Sequence, residues 1–239
     1  MSGVLIYSEK EAKRNAFAIN KFKEELGVTL AINDYDGTAD FIINRTNNYK
    51  IAEKFEEKGI RVFNPSSLSK LANNKQLCYE FMEKNGIEIL PINYNKVPAV
   101  KKPIDGHGGQ GVVMINEEES FESGFVYQKP CATLGKDLRV WAIGNDIITS
   151  ILRESDTDFR SNFCLGGKAT PYEMNEEEKS LVKRILSLVE SDYIGIDFLF
   201  DSGHLIFNEI EDTVGARMVY DKTDIDIIKL YCDYIKKNI

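Results

Sequence analysis

Between residues 100 and 113 the chain reads Val-Lys-Lys-Pro-Ile-Asp-Gly-His-Gly-Gly-Gln-Gly-Val-Val, with two lysines leading into four glycines and an apolar run on either side. Short apolar runs flanking glycines predict two strands joined by a loop, so this segment asks for a β-hairpin. Glycines let several backbone N–H groups turn toward one anion without Cβ atoms in the way. Lys102, on the entering strand, is placed to neutralise a phosphate. The order of parts excludes two familiar alternatives. In a GxxxxGK[ST] loop the lysine follows the glycines, and in a dinucleotide-binding turn a helix opens at the last glycine; here the lysine comes first and a strand follows Gly111. On these residues alone, a phosphate loop and a plain flexible hairpin stand about even.

A second constellation lies downstream. Asp197 precedes Glu209 by twelve residues, and Glu211 follows at strand spacing. Residues two apart on a strand share a face, so Glu209 and Glu211 should point the same way, with Leu205 and Phe207 along that face. Asp197 sits across a hairpin that turns at Asp201-Ser202-Gly203. Converging acids repel unless a cation joins them, and Mg²⁺ favours hard oxygen ligands while keeping nucleotide phosphates in its shell. The competing reading is an edge hairpin with solvated acids; acids inside apolar β-runs favour the metal.

The rest of the chain supplies the frame. Val4–Tyr7, Val28–Ile32, Phe41–Asn44 and Arg61–Phe63 read as strands separated by helices at Glu9–Leu26 and Tyr49–Lys58, a small parallel α/β layer. After Pro65 come helices at Ser66–Leu71 and Lys75–Lys84, then antiparallel strands at Ile87–Ile92, Ala99–Pro103, Val112–Ile115 and Phe125–Gln128. Two hairpins, Asp137–Ile143 with Ile147–Arg153 and Tyr193–Phe200 with His204–Glu211, bracket a helix at Glu176–Glu190, and Ile225–Lys236 closes as a helix. A net charge of −8 argues against a nucleic-acid stripe. Four scattered cysteines without CxxC or His/Cys spacing read as reduced thiols rather than zinc ligands. No signal peptide or membrane span is legible, so a cytoplasmic protein with no membrane partner is expected.

The glycine loop and the acid pair, in this order, resemble the ATP-grasp superfamily. Gly135-Lys136-Asp137-Leu138-Arg139-Val140 and the stretch from Asp158 to Gly167 (Asp-Phe-Arg-Ser-Asn-Phe-Cys-Leu-Gly-Gly) narrow the resemblance to RimK-like carboxylate–amine ligases, as do Phe41-Ile42-Ile43-Asn44-Arg45 and Asn74-Lys75-Gln76. The resemblance implies an α+β, ATP-grasp fold: an N-terminal parallel α/β subdomain over 1–65, a glycine-loop lid over 66–128 and a C-terminal antiparallel platform over 129–239. It implies ATP between lid and platform, touched by Lys75, Lys102, Gly106, His107, Gly108, Gly109, Gly111, Gln128, Lys129, Asp137, Arg160 and Asn162. Asp197, Glu209 and Glu211 match its Mg²⁺ ligands, with Mn²⁺ able to substitute. Lys102, Arg160 and Asn162 match its catalytic positions, while Arg45, Arg153 and Arg217 are assigned to substrate. Arg139 stays open between a structural ion pair and a substrate contact. Two departures stand out: Glu209-Ile210-Glu211 replaces the usual Glu-x-Asn, and Asp212 to Arg217 replaces an Asn-x-x-Pro-Gly run.

The implied reaction activates a small-molecule or peptide carboxylate as an acylphosphate, which an amine acceptor then attacks, releasing ADP and phosphate. A carboxylate kinase, a thiol ligase and a non-catalytic nucleotide-binding domain are the alternatives. A homo-oligomer is compatible with the resemblance.

Overall fold

The computed structural model describes residues 2–161 and 167–239. Three sheets organise it. The first is parallel, in the order β2-β1-β3-β4, built from β1 (Gly3–Tyr7), β2 (Thr29–Ile32), β3 (Phe41–Asn44) and β4 (Arg61–Phe63). Its crossovers are α1 (Glu9–Arg14), α2 (Ala16–Leu26) and α3 (Tyr49–Glu56). The helix expected over 9–26 is therefore two helices. Asn15 breaks it, because its amide donates to the Glu11 carbonyl at 2.8 Å and competes with the helical ladder. Gly27 stops α2 in a left-handed conformation (φ 65°).

α4 (Ser66–Ala72) and α5 (Lys75–Lys84) lead to the lid. Its sheet is antiparallel, with β5 (Ala99–Pro103) between β6 (Val113–Ile115) and β7 (Phe125–Gln128). The strand expected over 87–92 does not form. Only isolated bridges remain, Ile89 to Phe207 and Ile92 to Gln128. Pro91 offers no N–H to a ladder, while Ile87, Ile89 and Ile92 still pack into the core.

The platform is a five-stranded antiparallel sheet in the order β10-β9-β8-β11-β12. Its strands are β8 (Thr133–Ile143), β9 (Asp146–Glu154), β10 (Lys168–Pro171), β11 (Tyr193–Asp201) and β12 (His204–Glu211). α6 (Glu176–Leu186), α7 (Arg217–Lys222) and α8 (Ile227–Lys237) complete the chain. β10 and α7 were not anticipated; both are too short to show a period.

Alternation along the platform strands decides what each face does. Leu138, Val140, Ile194, Ile196 and Phe198 point back, against Cys78 and Met82 of α5 and Val182 and Ile185 of α6. On the other face, Trp141, Ile143 and Tyr193 enter a second core with Phe22 of α2 and Tyr231 of α8. Burying each of these large side chains is worth about 1.5–3 kcal/mol. The same core takes Leu5, Ile43 and Phe63 from the parallel sheet, so α8 welds the N-terminal layer to the platform. The polar end of that face, toward the lid, carries the charged residues.

Candidate functional site

Residues 197 to 211 show how the sequence aims side chains. Asp197 pairs with Glu209, but Phe198 pairs with Phe207, so Asn208 is one residue too many for its partner strand. This β-bulge resets the alternation. Phe207 and Ile210 both enter the rear core, while Asn208 and Glu209 both line the cavity. The expectation that Leu205 and Phe207 share the face of Glu209 and Glu211 is thus corrected: both apolar residues lie in the core behind the sheet.

The cavity lies between lid and platform, with an empty volume, open mouth included, of ≈ 790 Å³. Leu90, Val100, Val112, Leu134 and Leu199 give it an apolar portion. Its polar portion collects residues scattered along the chain: Lys75, Lys102, Gly106, Gly108, Gly109, Gln128, Lys129, Asp137, Arg153, Arg160, Asp197, Glu209 and Glu211.

Lys102 is buried on β5, and its ammonium donates to Gln128 Oε1 at 2.7 Å, Asn208 Oδ1 at 2.9 Å and the Tyr79 hydroxyl at 3.2 Å. All three partners are neutral. Burial therefore lowers its pKa to about 8, with Lys75 adding to the effect and Glu209 opposing it. Its neighbour Lys101 faces the opposite side of the strand and pairs with Glu119 at 2.9 Å and Glu122 at 2.5 Å. Lys75, at the start of α5, is anchored through its backbone N–H to the Ile104 carbonyl at 2.9 Å. Its ammonium donates to the Gly106 carbonyl and to Glu209 Oε1, the latter at 3.1 Å. One lysine thus ties the glycine loop to the platform.

The loop turns through two consecutive left-handed residues, Gly108 (φ 62°) and Gly109 (φ 74°), a backbone that side chains with a Cβ rarely adopt. Arg160 Nη1 donates to the Gly109 carbonyl at 3.1 Å, while Asp158 holds the rest of the guanidinium and keeps it charged. Residues 155–161 are pinned on Gly135, whose N–H reaches the Phe159 carbonyl at 2.8 Å. A Cβ at Gly135 would stand 2.6 Å from the Ser155 carbonyl oxygen.

Below the loop lies a buried ion network. Arg139 binds both Asp197 oxygens, at 2.7 and 2.6 Å, and Glu211 Oε1 at 2.5 Å. Arg153 binds both Asp137 oxygens, at 2.5 and 2.7 Å, and Asp197 Oδ2 at 2.9 Å. Burial alone would raise Asp197, yet the two arginines hold it well below the usual carboxylate range. Burial raises Glu211 and prevails over Arg139, helped by the nearby charges of Asp197 and Glu209. Arg139, left open by the sequence, is an ion-pair residue here. Its presence explains how the chain tolerates Glu211 in place of an amide: the added negative charge has a guanidinium beside it.

Among the described residues no three such side chains form a ready cation site. The donor chemistry nevertheless suits Mg²⁺, since hard oxygens converge on the cavity. Glu209 and Glu211 each have one cationic partner and remain partly open, whereas both oxygens of Asp197 are engaged by arginine.

Other assigned positions lie elsewhere. His107 and Asp105 line a separate cleft on the far side of the glycine loop. Gly111 lines neither space. Arg45 is buried over the Tyr193 ring, with Nη2 donating to the Val214 carbonyl at 2.5 Å, Nη1 to the Asp212 carbonyl at 3.5 Å, and Nε without a partner among the described residues. Arg217 is exposed and bonds the Arg14 carbonyl at 3.2 Å. These contacts fasten the N-terminal layer to the platform, and neither arginine reaches the cavity. Asn162 lies outside the described residues. Asn208 and Tyr79 were missed. For Asn208 a signal existed: Phe207-Asn208-Glu209-Ile210 breaks period two with adjacent polar residues, as a bulge does.

A family model described as the RimK-like ATP-grasp domain matches residues 69–235. The chain belongs to this family. It is an ATP-grasp ligase, of the class that joins a carboxylate to an amine. A relative from Maridesulfovibrio salexigens, named probable alpha-L-glutamate ligase, is 26% identical over 215 residues, covering 79% of this chain and 71% of the relative. The fold is also that of the ATP-grasp ligase PsnB with its minimal precursor (TM-score 0.73, 16% identity, 100% of both chains covered). D-alanine–D-alanine ligase from Bacillus anthracis, solved with ATP, superposes with a TM-score of 0.71 at 14% identity over 99% of this chain and 96% of that one. Among the described residues no helix is long and apolar enough to cross a membrane.

Proposed function

We propose that the cavity holds ATP with its phosphates between Lys75, Lys102 and Arg160 above and the acidic edge of the platform below. The apolar portion around Leu90, Val100 and Leu199 accepts the base, beside Gln128 and Lys129. Glu209 and Glu211 would hold Mg²⁺, which when bound neutralises charge developing on the phosphates. Asp197 holds Arg139 and Arg153 in place, and Asp137 holds Arg153.

The single observation that carries this reading is the joint lining of one cavity by Lys102 and Glu209, with Lys75 bridging loop and platform at 3.1 Å. Cations and acids from separate hairpins meet where one polyphosphate can touch both.

The chemistry follows from charge placement. A substrate carboxylate attacks the terminal phosphorus of ATP, the bond to the bridging oxygen breaks, and ADP leaves. The resulting acylphosphate is attacked at carbon by an amine, which loses a proton as phosphate departs. Lys102 and Arg160 stabilise charge on the transferring group, and the glycine loop keeps water from the intermediate. No nucleophilic side chain is needed. One of the two substrates is an amino acid on this reading, which the name of the Maridesulfovibrio relative, probable alpha-L-glutamate ligase, supports. Lys102→Ala and Glu209→Ala should each abolish acceptor-dependent ADP release. Full turnover in both variants, with melting curves like the parent's, would remove the proposal's basis.

A further inference from the structure

Asp197 stands directly across the sheet from Arg139, and Asp137 directly across from Arg153. Opposed residues of an antiparallel pair share a face at contact distance, so strand register sets these two ion pairs. Arg139 and Arg153 are only 8% and 2% exposed. Between them they engage both oxygens of Asp197. Oδ1 accepts from Arg139 Nε at 2.7 Å, and Oδ2 from Arg139 Nη2 at 2.6 Å and Arg153 Nη2 at 2.9 Å. Drawing Asp197 onto a metal would strip a buried guanidinium of its partner, the costly way to break such a pair.

Glu209 and Glu211 are placed differently. Glu209 Oε1 accepts from Lys75 and Glu211 Oε1 from Arg139. The Oε2 of each has no partner among the described residues, and both acids line the nucleotide cavity. The Arg139 guanidinium packs over the buried Trp141 ring at 5.9 Å, so it meets Asp197 and Glu211 from the core side and leaves their cavity side clear. Paired divalent ions lie about 3.5–4 Å apart and clamp both the attacking and the leaving oxygen. Mg²⁺ takes one or two carboxylates and fills its remaining positions with phosphate and water. Two open oxygens on neighbouring acids provide for one such ion; a second would have to displace an arginine.

We infer, resting on the ATP site proposed above, that the loaded site holds a single Mg²⁺ on Glu209 and Glu211, with Arg139 supplying fixed positive charge in place of a second ion. The carboxylate at 211 then has a reason. An amide there would bring no charge to Arg139, whereas Glu211 pairs with the guanidinium through one oxygen and offers the other to the metal.

The test counts ions on the full chain. Equilibrium dialysis with Mn²⁺ and a non-hydrolysable ATP analogue gives metal per bound nucleotide, and electron paramagnetic resonance tells an isolated Mn²⁺ from a spin-coupled pair. The parent should bind one Mn²⁺ per nucleotide, with an isolated-ion spectrum. Arg139→Met frees Asp197 Oδ1 and Glu211 Oε1, and should bind two, with a coupled spectrum; a merely structural arginine would not raise the count. Glu211→Gln should keep one ion, held about tenfold more weakly, the scale of one lost charged contact. The parent and Glu211→Gln decide the matter even if Arg139→Met does not fold. Two ions in the parent, one in a folded Arg139→Met, or undiminished Mn²⁺ affinity in Glu211→Gln overturns the inference. Nucleotide binding is read in the same dialysis, so the two readings fail separately. A parent that binds the analogue with two coupled ions loses the single-ion site and keeps the ATP site. A parent that binds no analogue loses both.

Discussion

The Lys102 ammonium lies 2.9 Å from the side-chain oxygen of Asn208, a residue that faces the cavity because β12 bulges there. Together with Gln128 and Tyr79, Asn208 holds the lysine at the wall of the cavity proposed to take the phosphates. Removing one acceptor from a charged donor costs about 1.5–3 kcal/mol. Asn208→Ala should therefore raise the KM for ATP by about tenfold or more. Steady-state ADP release across an ATP series checks it, and an unchanged KM would count against the cage.

The neutral cage has a consequence for pH. Burial brings Lys102 down to about 8, with Lys75 assisting and Glu209 opposing. Below that pH the ammonium is present and attracts phosphate; above it the charge is lost. The affinity for ATP should decline as pH rises through about 8, read from kcat/KM for ATP, which reports the free enzyme. Asn208→Asp, which sets a negative charge beside the ammonium, should move this limb to higher pH. The stability of the ligand-free protein responds in the opposite sense. The folded pKa lies below the unfolded value of about 10.4, so this group's contribution to stability increases with pH between the two. A pH profile flat from 7 to 9.5 would contradict both statements.

The residues that advertise themselves in a sequence are those with a period or a composition. Lys75–Lys84, Ala99–Pro103 and His204–Glu211 match the observed elements to the residue, since caps, alternation and turn residues agree there. Lys102, Glu209 and Glu211 were legible because charge inside an apolar strand is costly unless it is used. What was not legible depends on tertiary pairing. The partners of Arg45 are main-chain carbonyls more than 160 positions away. Whether Arg153 meets substrate or Asp137 is set by strand register, and the register is fixed by contacts no local pattern encodes. Asn15 splitting a helix and Pro91 cancelling a strand were local signals, outweighed in reading by the apolar residues around them.

The arginine network predicts a sharp asymmetry. Arg139 neutralises Asp197 and Glu211 together, so Arg139→Met leaves buried carboxylates short of their main cation. Breaking a buried pair in this way costs about 3–5 kcal/mol, which urea denaturation at pH 7.5 should show. Because the freed oxygens face the cavity, Mg²⁺ should restore part of the loss in the variant while changing the parent less. Equal magnesium effects on both proteins would place the cation elsewhere.

Asp192 offers a test away from the cavity. Its carboxylate is 1% exposed and meets Arg61 at 2.5 Å, and the Tyr234 hydroxyl donates to it at 3.1 Å, while Oδ2 has no partner. Burial outweighs Arg61 and lifts its pKa to about 6. A carboxyl raised on folding favours the native state while protonated, and that contribution is lost as pH climbs from about 4 through 6. The change amounts to about 2–3 kcal/mol at 1.36 kcal/mol per pH unit. Asp192→Asn, which cannot ionise, should flatten this part of the stability curve and be the more stable relative to the parent at pH 7 than at pH 4. Parallel denaturation midpoints for the two proteins across that range would mean that Arg61 keeps Asp192 charged throughout.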